Sequence, residues 1–122
     1  MPENFYGGLD FGTSGARISI INFHKKLVYS NSVLYQYSFK NPNSWINSCE
    51  KLLFSLPIYI KNNIVNLAIS GTSGTLTAFD LGGDPVGEAI PSYQGYYGNK
   101  DYIETKNFVA NHLPSPYTSL AK

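Results

Sequence analysis

Charge, cysteine and long apolar runs are all scarce in this sequence of 122 residues. Charged residues make up 14% of it and leave a formal net charge of +1. Without an excess of one sign there is no electrostatic footing for nucleic acid or for an anionic membrane surface. The one cysteine, Cys49, excludes an internal disulfide and suits a reducing compartment. No apolar run approaches the length of a membrane span. The first residues, Met1-Pro2-Glu3-Asn4, carry an acid and no basic, apolar leader, so a cytoplasmic location is expected. What is present suffices for a packed core. Hydrophobic residues reach 43%, which separates the chain from disordered sequences, and the length suits one domain. Aromatic residues are plentiful at 15%. Tyr93, Tyr96, Tyr97 and Tyr102 gather in a late stretch that reads as loop, where they either line a pocket or form an interface.

Tyr6 to Phe11 reads as a short strand running into Gly12-Thr13-Ser14-Gly15. Ala16 to Phe23 resumes as a strand with Ile18 and Ile20 on one face, and His24-Lys25-Lys26 forms a polar turn. Leu27 to Phe39 alternates as a third strand, so the three predict an antiparallel meander. After a loop, Ser44 is the expected helix cap, and Trp45, Cys49, Leu52, Leu53 and Leu56 follow at helical spacing up to Pro57. Ile64 to Ser70 is a nearly continuous apolar run, which predicts a strand parallel to the first and covered on both faces. Gly71-Thr72-Ser73-Gly74 repeats the earlier tetrapeptide, again after an apolar strand. Thr75 to Asp80 and Val86 to Ile90 read as a hairpin about the turn at Gly82 to Pro85. Asp101 and Glu104 have capping-box spacing for a helix to about Leu113.

Asp10 sits at the apolar end of the first strand, where a carboxylate needs a cation or hydrogen-bond partner. The glycines of the following turn allow close approach of an anion to backbone N–H groups. Thr13 and Ser14 add hydroxyls, and Arg17 adds a cation just past the turn. This set could hold Mg²⁺ through the carboxylate and a polyphosphate through amides, hydroxyls and guanidinium. No Gly-Lys-Ser/Thr ends the segment, so it is not a P-loop. A strand, not a helix, follows the glycines, so it is not a dinucleotide fingerprint either. A tight hairpin with an acid at its mouth accounts for the same residues. His24, beside two lysines, reads as solvated; His112 reads as a helix-end residue and Cys49 as core.

At three separated places the sequence resembles the FGGY carbohydrate kinases. Gly8-Leu9-Asp10-Phe11-Gly12-Thr13-Ser14-Gly15-Ala16-Arg17 resembles that family's first phosphate segment. Ile69 to Leu76, with Phe79-Asp80 and Gly83-Asp84-Pro85-Val86-Gly87, resembles its second glycine segment and hairpin. Ser115-Pro116-Tyr117-Thr118-Ser119-Leu120-Ala121-Lys122 resembles its Ser/Thr-Ser-x-x-x-Lys segment. The nearest subgroup is that of the xylulose and ribulose kinases. The resemblance implies an α/β, ribonuclease H-like fold of the actin, Hsp70 and sugar kinase superfamily, with a mixed sheet that includes the antiparallel meander. It implies transfer of the γ-phosphate of ATP to a sugar hydroxyl, with ATP and Mg²⁺ as cofactors. Asp10 would help hold Mg²⁺; Gly12, Thr13, Ser14, Gly15 and Arg17 would border the phosphates. Gly71, Thr72, Ser73 and Gly74 would lie toward the sugar.

Two positions depart from the pattern. Ser70 stands where the nearest subgroup often has Asp, and Ile90-Pro91-Ser92-Tyr93-Gln94-Gly95 lacks the usual carboxylate. Tyr93 and Gln94 are the remaining candidates for sugar contact. The resemblance places the general base beyond Lys122. The expectation is therefore that residues 1–122 form a truncated N-terminal domain, incompetent for transfer unless a C-terminal half is supplied. A non-catalytic remnant that binds a partner or self-associates is the alternative. A ribonuclease H-like nuclease would need several converging carboxylates, and only Asp10 is well placed.

Overall fold

The computed structural model describes residues 3–92 and residue 94. Tyr93, the helix expected from Asp101 to Leu113, His112 and the Ser115 to Lys122 segment lie outside the described residues. The chain divides into two compact units, Met1–Thr72 and Ser73–Lys122.

In the first unit, alternating apolar residues build β1 (Phe5–Phe11), β2 (Gly15–Asn22) and β3 (Leu27–Leu34). They pair antiparallel in sequence order, as the meander pattern predicts. The side chain of Asn22 closes the second turn by accepting from the Lys26 N–H at 3.1 Å. β3 stops at Leu34 instead of running to Phe39. Leu34 faces Gly15, the first residue of β2, so residues past it have no strand to pair with. Leu9, Ala16, Ile18 and Ile20 share one face of the sheet and are buried with Phe5.

That face is covered by α1 (Pro42–Phe54), which lies over β2 and β3. The helix begins earlier than Ser44. Asn41 is its N-cap, accepting from the Asn43 N–H at 3.0 Å, and Pro42 takes a first-turn position where a missing N–H leaves no bond unmade. Ser44 is a buried helical residue whose hydroxyl donates to the Ser38 carbonyl at 3.0 Å. The buried stripe is accordingly Ser44, Ser48 and Leu52, with Trp45 and Cys49 half-buried beside it. The helix ends before Pro57 as predicted, and the short α2 (Ile58–Lys61) adds Ile60 to the core.

β4 (Ile64–Ser70) returns parallel to β1, giving a mixed four-stranded sheet in the order β3-β2-β1-β4. The parallel pairing agrees with the sequence, but the burial on both faces does not. Because α1 covers β2 and β3, Leu67 and Ile69 of β4 remain 39% and 70% exposed.

In the second unit the expected strands reduce to two isolated antiparallel bridges, Leu76–Ile90 and Phe79–Pro85. The reversal is where the glycines placed it. The Asp80 carboxylate accepts from the N–H groups of Gly82 and Asp84 at 2.8 and 2.9 Å. Gly87, at a φ of 74°, interrupts the extended geometry of the returning segment.

Candidate functional site

The register of the β1–β2 hairpin puts Asp10 directly opposite Arg17. Their neighbours Leu9 and Ile18 point into the core, so the pair stands on the opposite face of the sheet. Arg17 Nε lies 3.4 Å from Asp10 Oδ2, and the side chains are 69% and 49% exposed. An ion pair this open contributes at most about 1 kcal/mol, so a ligand that separates it loses little.

The Gly12–Gly15 turn is held from within and from the side. Gly12 N–H donates to the Gly15 carbonyl at 2.9 Å. Tyr35, just past β3, donates its N–H to the Ser14 carbonyl at 3.0 Å and its hydroxyl to the Gly12 carbonyl at 2.8 Å. The Gly12 amide is thus engaged. Thr13 and Ser14 are exposed, and among the described residues their N–H groups donate to nothing. These two amides and two hydroxyls are the donors left for an anion. Gly15 answers to a different demand: a Cβ there would strike the Val33 carbonyl oxygen of β3.

The turn opens onto a depression of about 750 Å³ that runs along β2 and β3 past Arg17, Ser19, Ser30 and Ser32. On the other side of the ion pair, a smaller depression of about 300 Å³ is bordered by Gly8, Asp10, Ala68 and Ser70. Burial raises the pKa of the Tyr35 hydroxyl, and the Asp10 carboxylate pushes it the same way. The phenol therefore stays protonated and able to donate at neutral pH. Burial, then Glu50, also raises the Cys49 thiol, in keeping with its place against the core.

The second tetrapeptide follows β4 as the first follows β1. The strands are parallel neighbours with Asp10 beside Ser70, so Gly12 and Gly71 leave the sheet at the same end. Crevices for ligands form at the carboxyl ends of such strands. Asp10, Gly12 to Gly15, Arg17, Gly71 and Thr72 are thereby gathered at one end of one sheet. Ser73 and Gly74 belong to the second unit, as does Gln94, whose N–H donates to the Pro91 carbonyl at 3.0 Å. Tyr35 is the residue that sequence reading missed. In the sequence it reads as one more position of an overlong strand; because β2 reaches back no further than Gly15, β3 ends at Leu34 and Tyr35 is left to reach the turn.

No protein-family profile matches the chain. Over 91 residues it is 31% identical to the xylulose kinase of Staphylococcus xylosus, a match that covers 68% of this chain and 19% of that protein. Over that stretch the chain is a relative of the carbohydrate kinases. The resemblance drawn from three sequence motifs is borne out at that level. Solved sugar kinases have the same fold. The xylulose kinase of Rhodospirillum rubrum superposes with a TM-score of 0.70 at 17% identity, covering 87% of this chain and 24% of that one. The glycerol kinase of Plasmodium falciparum, solved with ADP, gives 0.62 at 16% identity, covering 90% and 24%. The mixed sheet with its helices therefore has the α/β, ribonuclease H-like fold of these sugar kinases over the part of them that it covers. The chain spans about a fifth of the length of the curated relative it matches.

Proposed function

We propose that residues 1–122 act as the phosphate- and metal-handling part of the N-terminal domain of an ATP-dependent carbohydrate kinase of the FGGY type. The observation that carries this reading is the β1–β2 turn. It combines two unengaged amides and two hydroxyls at Thr13 and Ser14 with a carboxylate and a guanidinium at its base. The complete kinase would transfer the γ-phosphate of ATP to a hydroxyl of a ketopentose such as xylulose or ribulose, in the cytoplasm.

Thr13 and Ser14 would donate to the phosphate oxygens, with Gly12 and Gly15 leaving the approach bare. Arg17 would turn from Asp10 toward phosphate. Gly71, Thr72, Ser73 and Gly74, with Tyr93 and Gln94, would face the sugar. Among the described residues no group of three or more His, Cys, Asp or Glu converges. A single carboxylate nevertheless suits Mg²⁺, which is commonly held by one or two carboxylates together with substrate phosphates and water. Asp10 is the residue that would hold it, and the ion when bound neutralises phosphate charge. These residues would supply the phosphate contacts; transfer further requires a nucleophile and general base positioned with the phosphate, a role that none of the residues named here is assigned.

The test is titration of Mg·ATP into the chain by calorimetry, and activity measured after a C-terminal kinase portion is supplied. Asp10→Asn is expected to reduce the complemented activity by roughly a hundredfold, as loss of a preorganised charge in such a site does. Full activity in that variant would remove Asp10 from the metal site.

A second reading has its own observation. The exposed Leu67 and Ile69 on edge strand β4 suit a non-catalytic module that associates with a partner or with itself. Sedimentation over a range of concentrations decides it, because a strictly monomeric chain removes the self-associating form.

A further inference from the structure

The geometry points to Tyr35 as a positioning residue that fixes the direction of the Thr13 amide for phosphate. The inference rests on the phosphate-binding reading of the turn. Its basis is the geometry of the peptide bond. In a trans peptide the C=O of one residue and the N–H of the next lie in one plane and point in opposite directions. The described residues contain no cis peptide bonds. The Tyr35 hydroxyl, 2.8 Å from the Gly12 carbonyl oxygen, therefore turns the Thr13 N–H away from Tyr35. The Tyr35 N–H, 3.0 Å from the Ser14 carbonyl oxygen, does the same for the Gly15 N–H. Both carbonyls that flank the Thr13–Ser14 tip are thus drawn to one residue.

Tyr35 is itself well anchored. Its ring packs against the core cluster that includes Leu9 and Ile18, and its backbone leaves directly from the end of β3. A turn carbonyl bonded to water could reorient freely; one bonded to a phenol seated on the core cannot. Without that bond, the Gly12–Thr13 peptide, made of the Gly12 C=O and the Thr13 N–H, has no hydrogen bond of its own among the described residues. Glycine at position 12 makes such a restraint necessary, because its backbone resists rotation least. Ordering these donors before the ligand arrives lowers the cost of binding it.

Tyr35→Phe removes the hydroxyl and keeps the ring. The experiment measures ¹⁵N relaxation of the backbone amides, and titrates Mg²⁺ with inorganic tripolyphosphate, in wild type and variant. The expected result is a lower order parameter at Thr13, with amides in the middle of β1 and β2 unchanged. It is joined by a roughly three- to tenfold weaker tripolyphosphate affinity, the range set by the net contribution of one hydrogen bond. A generally loosened fold would lower order throughout the sheet, so the confinement of the change to the turn separates positioning from stability. Unchanged order at Thr13 overturns the inference while leaving phosphate binding intact. Lower order with unchanged affinity also overturns it, because the amide direction would then not serve the ligand. Failure of the wild-type chain to bind tripolyphosphate overturns both this inference and the functional reading on which it rests.

Discussion

Gly15 and Gly12 flank the same turn yet answer to different constraints. A Cβ on Gly15 would collide with the backbone of β3 at Val33, whereas one on Gly12 would meet nothing closer than the Gly15 carbonyl at 3.4 Å. Neither glycine has a positive φ. Gly15→Ala is therefore expected to cost about 1–3 kcal/mol, the usual range for forcing atoms into filled space. Gly12→Ala should cost under about 1 kcal/mol. Urea denaturation of the two variants measures the difference, and equal losses would contradict the close approach of β3. Tyr35 provides a second test at this scale. Its hydroxyl pKa is raised above the ordinary value of about 10 by burial and then by Asp10. In the folded chain the proton is held to higher pH than in the unfolded chain. The contribution is complete below pH 10 and is lost as pH rises through the raised value. The stability of wild type should therefore fall more steeply above pH 10 than that of Tyr35→Phe, as read from denaturation midpoints at successive pH values. Asp10, Thr13, Ser14 and Arg17 were legible in sequence because they are contiguous with the turn. Tyr35 was not, because its partner lies 23 positions away.

In the first unit the four strands and α1 were read correctly in kind and less well at their ends, while the short α2 was not foreseen. Helix α1 shows why. Asn41 and Ser44 are both good cap residues, and the apolar spacing alone favoured Ser44. Pro42 between them was the available signal, since proline is favoured at the first helical position. Asn41→Ala is expected to cost about 1 kcal/mol through loss of the cap. Ser44→Ala should cost a similar amount for a different reason, the bond from its buried hydroxyl to the Ser38 carbonyl. Thermal unfolding followed by circular dichroism compares the two, and an Asn41→Ala melting curve identical to wild type would displace Asn41 as the cap. The shortened β3 and the two bridges that replaced a hairpin have a common cause. Alternation of side chains shows that a strand is possible, while its length is set by the partner's backbone. At Leu34 the partner ends, and at Gly87 the returning chain turns out of extended geometry.

For the first unit as a body, one small cluster carries the fold. Phe5, Leu9, Ile18, Ile20, Leu52, Leu56 and Ile60 bring together strands β1 and β2 and the helical segments after β3. Ile60 is fully buried although α2 is a single turn. Ile60→Ala should cost about 2–5 kcal/mol, the range for a large-to-small change in a packed core. That is a large part of the 5–15 kcal/mol typical of a domain. A loss below about 1 kcal/mol by urea denaturation would mean that α2 is not integral to the core. β4 belongs to the same body through its parallel pairing with β1, yet its Leu67 and Ile69 stay exposed. The apolar run from Ile64 to Ser70 gave no warning of this. Hydrophobicity records what a strand is able to bury, whereas coverage depends on where the helices lie.

Sequence alone determined the order of the four strands and α1 in the first unit, the position of both glycine turns, the carboxylate and guanidinium at the first turn, and the likeness to the carbohydrate kinases. All of these rest on local pattern or on contiguous motifs. Tertiary structure decided what lies between residues far apart in the chain. It paired Asp10 with Arg17, engaged the Gly12 amide and left those of Thr13 and Ser14 open. It set Gly71 beside the end of β1 and brought Tyr35 onto the turn. Hydrogen bonds across strands depend on register, and register depends on where each strand begins and ends. No local pattern encodes that.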